Sequence, residues 1–165
     1  MSRRAESLAE RIEKGAAGLA AFAESLSDAE WNRPLSDGSD RRPIGVIVNH
    51  VAFVYPIEVD AARGIASGKE VGVSWEDIAQ LNAKHASDNA RASKADTIAL
   101  LRSNARAAAE AVRQMTDEQL DTAAPFGLSY GAPVTAQFVI EDHALRHSWH
   151  HLAKIRKALG KVNAH

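Results

Sequence analysis

Four of the chain's seven histidines, His143, His147, His150 and His151, fall within nine residues, and a fifth, His50, is embedded in the apolar stretch IGVIVNHVAFV. On a helix, residues four apart stack on one face, so His147 and His151 can offer two nitrogens to one divalent cation, with His50 as the third from a facing helix. His143 stands one turn before His147, so spacing alone equally allows His143 with His147 as the chelating pair. A single core histidine is ordinarily hydrogen-bonded to a carbonyl or carboxylate. Several inward imidazoles are different, because they bury competing polar groups that a cation satisfies directly. Imidazole suits zinc, nickel, copper and iron, so the ligand type does not choose the ion. Glu141 and Asp142 are near enough in sequence to accept a ring N–H, although exposed helix charges are their ordinary role. His85 and His165 carry no chemical argument by position.

Four long segments must position these side chains. From about Arg3 to Leu26, Leu8, Ile12, Leu19, Phe22, Ala23 and Leu26 recur at steps of three and four, which predicts an amphipathic helix. A second, from about Pro43 to Ala66, is apolar on nearly every side and therefore central. Pro43 suits its first turn, and Pro56 removes one backbone hydrogen bond and should kink it. A third repeats Ile98, Leu101, Ala105, Ala108, Val112 and Met115 behind a capping box of Ser93 and Asp96. The fourth runs from Thr135, as N-cap, to Leu159, with Gly160 as terminator.

On the fourth helix His147 and His151 share an arc with Ile140, Ala144, Ile155 and Ala158. His50 lies amid Val46, Ile47, Phe53, Val54 and Ile57 on the second. A second stripe, Phe138, Leu145, Trp149 and Leu152, runs along the other side of the fourth helix and predicts a homodimer contact. The connections read as a helical turn over Asp28–Trp31 and an ordered loop, a short helix capped by Ser74, and a loop or hairpin around Gly127 and Gly131. The expected fold is all-α: a four-helix bundle with crossover connections and a short extra helix between helices two and three, in one domain spanning residues 1–165.

Composition narrows the function. Twenty Lys and Arg oppose 21 Asp and Glu, for a net charge of −1, so no broad field attracts nucleic acid or anionic lipid, and a role in DNA repair finds no basic patch. The chain has no cysteine, which excludes disulfides and a cysteine nucleophile. No signal peptide pattern opens it, and no unbroken apolar run reaches the ~18 residues of a membrane span. We therefore expect a cytoplasmic protein that uses a small-molecule substrate and binds neither nucleic acid nor membrane.

The stretch IGVIVNHVAFV, the run HSWHHLAKIRKALG with its His-x-x-x-His and closing glycine, and the tryptophan in DAEWNRPLSDG resemble the DinB/YfiT superfamily of metalloenzymes, over about Asp28 to Gly160. The resemblance implies a four-helix bundle, often dimeric, with a metal triad at His50, His147 and His151 and with His150 as a neighbour. The metal it implies is a divalent transition ion, zinc or nickel, and the activities it implies include transfer or isomerisation dependent on a low-molecular-weight thiol such as bacillithiol or mycothiol. Hydrolysis is the other enzymatic expectation, and a non-catalytic bundle that binds a small molecule or a partner is the alternative. Phe53, Tyr55, Trp75 and Tyr130 are candidates to line a pocket, without a catalytic role, and no general base stands out.

Overall fold

The structure, a computed structural model, describes residues 2–36 and 40–162; His165 lies outside them. Its elements are α1 (Arg3–Ser25), α2 (Asp28–Trp31), α3 (Ile44–Ala66), α4 (Trp75–Asp88), α5 (Lys94–Arg113), α6 (Asp117–Asp121), β1 (Ala123–Pro125), a 3-10 turn (Gly127–Ser129), β2 (Pro133–Thr135), α7 (Ala136–Val139), a π-helical segment (Ile140–Leu145) and α8 (Arg146–Ala158). The last three run on from one another as the fourth long helix. Both α1 and α3 pack mainly on α5 and on this final helix, so α1 and α3 sit diagonally across a four-helix bundle. A chain that places consecutive long helices on a diagonal needs a long connection between them, and among the described residues of that connection Trp31 and Leu35 are buried in the core.

Local chemistry accounts for the boundaries. Ser2, Ser74, Ser93 and Thr135 each accept a first-turn N–H as N-cap. At Ser74 the capping box closes with Asp77, whereas Ser93 accepts from Asp96 without a return arm among the described residues. Pro43 serves as the N-cap of α3, one place before the first turn. Gly160 takes φ +66°, the left-handed conformation that ends a helix. Of the loop or hairpin expected around Gly127 and Gly131, the hairpin forms, as antiparallel β1 and β2 with Ala124 opposite Val134.

α3 continues through Pro56 as one helix. Proline has no N–H to give the carbonyl four residues back, which leaves the Ala52 oxygen without its helical donor. Asn104 on α5 supplies one instead, its amide donating to Ala52 O at 2.8 Å. Near the start of α3, Trp31 lies against Gly45 so closely that a Cβ there would meet the indole at 2.3 Å. The Trp31 indole N–H donates to Ala92 O at 3.0 Å, which ties the connection after α1 to the segment before α5.

α3 is also long and apolar enough to cross a membrane by length and mean hydropathy, which counting unbroken apolar runs had not revealed. Its most apolar stretch is 72% buried within the bundle, as a central helix requires. The second stripe of the final helix divides: Leu145 and Leu152 are buried, while Phe138 and Trp149 remain 44% and 42% exposed.

Candidate metal centre

α3 and α8 bring three of the predicted histidines together. His50, His147 and His151 each present a ring nitrogen, and these nitrogens all lie within 4.8 Å of one another. Nε2 of His50 and Nε2 of His147 are 3.1 Å apart, and the His147 and His151 rings stack at 4.8 Å between centroids, as residues one helical turn apart should. His50 and His151 are buried and His147 half-buried. His143 and His150 line the same cavity, outside the converging set. His143 instead packs edge-on against Phe126 at 5.5 Å.

Sequence reasoning missed Glu58. This carboxylate lies two turns after His50 on α3 and sets Oε1 2.5 Å from Nδ1 of His147. A carboxylate there holds the proton on Nδ1 and leaves the Nε2 lone pair of His147 facing His50. Of the acceptors considered from sequence, Glu141 is reached by Arg11 at 3.5 Å, and Asp142 is reached by Arg146 at 3.1 Å while its other oxygen stands 3.8 Å from Nε2 of His143, outside the triad. The available signal was an acid inside an otherwise apolar helix.

His85 was missed too. It is the one buried residue of α4, and its Nε2 bonds Oδ1 of Asn49 at 2.8 Å. The amide of Asn49 donates in turn to Oγ1 of Thr97 at 2.9 Å. This polar chain joins α4, α3 and α5 beside the histidine cluster, with the His85 and His50 rings 5.7 Å apart.

Burial sets the charge state of the cluster. Desolvation, reinforced by the neighbouring His147, pushes His50 down to about 3 and His151 down to about 2. Both imidazoles are therefore neutral near pH 7, the form that can donate a lone pair to a metal. Burial lowers His143 and His85 as well.

The residues fit a divalent ion. Among the described residues, the buried side-chain nitrogen and oxygen atoms without a partner are His50 Nδ1, Glu58 Oε2, His85 Nδ1 and His151 Nδ1, all in this cluster. Such atoms are rare in a folded core; an ion held by Nε2 of His50 would still leave Nδ1 of that ring to be partnered, so the fit rests on the converging ring nitrogens themselves. The 3.1 Å between the two Nε2 atoms suits one ion bonded to both at ~2.1 Å. At that bond length tetrahedral ligands stand ~3.4 Å apart, so an edge of 4.8 Å, the outer bound of the set, would close by ~1.4 Å shared among the side chains.

A π-helical segment lies immediately before the triad. Ile140–Leu145 interrupts the final helix and runs directly into α8, where the sequence predicts uniform helix. Such segments are uncommon and concentrate at functional sites. A cavity of about 570 Å³ opens beside the cluster. Of the aromatic residues considered for its lining, Trp75 contributes; Tyr55 is buried against Ser148 Oγ at 2.5 Å, and Tyr130 is 91% exposed.

A sequence profile of the DinB superfamily matches residues 11–155. No curated protein matches the sequence. Among solved structures the chain is similar to YfiT from Bacillus subtilis, described as a probable metal-dependent hydrolase with an unusual four-helix bundle topology. The TM-score is 0.76 over 98% of this chain and 89% of that one, at 19% identity, which shows a shared fold.

Proposed function

The chain belongs to the DinB superfamily, and from that premise we propose that it is a metal-dependent enzyme acting on a small molecule, with His50, His147 and His151 as the metal ligands. The observation that carries this reading is the convergence of three ring nitrogens from two helices, two of them on residues that burial keeps neutral, beside a carboxylate that orients the third. A bound zinc or nickel ion would supply Lewis acidity and lower the pKa of a coordinated water, alcohol or thiol.

The chain's own residues do the rest. Glu58 holds the His147 ring in the tautomer whose Nε2 is free. The stacking of His147 on His151 fixes the angle between two donors. The apolar wall of the cavity limits water beside the site. Half-buried His143, which lines the cavity outside the triad, is placed to exchange a proton with a bound substrate.

Hydrolysis is the leading version, supported by the likeness to YfiT. Transfer involving a low-molecular-weight thiol is the second, because a chain without cysteine would have to take any thiolate from a cofactor. The same proposal includes a homodimer through exposed Phe138 and Trp149, for which sedimentation of wild type against Trp149→Glu is the check. Elemental analysis of untagged protein, wild type beside His50→Ala, tests the metal: about one equivalent in the wild type and little in a folded variant is expected. Absence of metal from the wild type after reconstitution would leave a bundle that binds a small molecule without chemistry.

A further inference from the structure

We propose that the cavity beside the histidines takes a substrate with an uncharged, apolar body and a single metal-binding head, such as an aliphatic or aryl acyl compound. The head rests on the metal reading above; the body does not. The cavity, about 570 Å³, has room for a drug-sized molecule. Its far wall is built by three segments: Val71 and Val73 after α3, Ile78 and Leu81 on α4, and Phe126 and Leu128 at the hairpin.

That wall is a constructed feature of the fold. Val71 N–H donates to Pro125 O at 3.0 Å, and Gly127 N–H donates to Val71 O at 2.8 Å, so the segment before α4 and the hairpin meet through backbone bonds. Gly127 permits the approach, since a Cβ there would stand 2.0 Å from Val73 O. Trp75 locks the start of α4 to the same hairpin, its indole N–H donating to Leu128 O at 3.1 Å. Exposed apolar side chains are ordinary one at a time, whereas a contiguous apolar wall such as this one marks a ligand-binding groove.

The charged groups at the cavity argue against an anionic body. Arg42 is bound by both oxygens of Asp40, at 3.0 and 2.9 Å. Arg146 is held by Asp142 at 3.1 Å. Each guanidinium is neutralised by a carboxylate of this chain, so a phosphate or carboxylate on the substrate body would have to displace it. A sugar-like body would find few polar partners on the wall, which sets this substrate class apart from a bulky polar thiol.

The test is a titration of zinc-loaded protein with acetyl, butyryl, hexanoyl and octanoyl hydroxamates, alongside the matching alkyl alcohols on metal-free protein, read by calorimetry. The expected result is affinity rising about fourfold per methylene in both series. Leu81→Asp, and separately Ile78→Asp, should flatten the trend while bound zinc stays at the wild-type level. Flat affinity along both series, or a succinyl hydroxamate binding as tightly as the butyryl one, overturns the proposal and leaves the metal reading standing. A trend among alcohols in a protein that takes up no zinc supports the apolar body and sinks the metal reading instead.

Discussion

The two sides of α3 solve opposite problems. Toward α5 the bundle is closed by small and aliphatic side chains. Ala5, Ala9, Ala16, Ala20 and Ala23 of α1, with Ala105, Ala108 and Ala109 of α5, are buried and let the helices approach closely. Toward α8 and α4 the same helix presents His50 and Glu58, and its neighbours leave an open cavity. Close packing gives the first side its stability. The second side keeps unsatisfied polar atoms that a packed core would not tolerate. One helix thus carries a structural face and a chemical face, and substitutions on the two should separate stability from metal affinity.

The largest effect is expected on the structural face. Leu101→Ala, at a fully buried position of α5, should cost about 2–5 kcal/mol in denaturant unfolding and leave metal stoichiometry unchanged. A loss of bound metal in the folded variant would show that the faces are coupled.

Next comes the pH response of the metal-free protein. His50 and His151 sit below their unfolded value of 6.5, at about 3 and about 2, so the unfolded chain binds more protons at any pH between. Stability is then full above about 6.5 and falls as the pH drops toward 3. Between pH 7 and 5 each histidine should remove about 2 kcal/mol. Urea midpoints measured on wild type and on a His50→Gln, His151→Gln variant check this, and equal slopes would place the two imidazoles in water.

Glu58→Gln sharpens the chemical face. A substitution that removes the carboxylate from Nδ1 of His147 should weaken metal binding about 10–100-fold with little change in fold, measured by chelator competition. Asn104→Ala probes the structural face most gently, because it strips the donor from Ala52 O opposite Pro56. About 1 kcal/mol of stability should disappear, with metal affinity untouched.

The fold was largely legible, because periodicity, caps and turn residues act over a few positions and agree. Ser74, Thr135 and Gly160 mark their boundaries by side-chain or backbone chemistry alone. Spacing left His147 free to pair with His143 or with His151, and the family resemblance implied the second; the convergence was not readable from spacing alone, and the fold brings His50, His147 and His151 together. What escaped involved contacts between distant segments. Glu58 finds its role only when α8 packs beside α3, and His85 only when α4 folds back to meet Asn49. The rescue of Ala52 O by Asn104 likewise joins residues that no local pattern connects. The π-helical segment was hidden for another reason: Ile140–Leu145 has the composition of ordinary helix, and its widened turn has no residue signature.

That segment makes the centre sensitive to the shape of one turn. A π turn accommodates one residue more than an α turn would over the same length. Deleting a single residue within Ile140–Leu145 would then let the segment close to plain α-helix with α8 kept near its present orientation, whereas straightening it to α-helix at unchanged length would turn everything downstream by ~100° against everything upstream. With Thr135 and the hairpin anchoring the upstream end, His147 and His151 would in that second case swing off the line to His50 while all three remained in the sequence. The centre therefore depends on the shape of this turn as well as on its ligands, and a search that only asks whether the ligands are present does not see it.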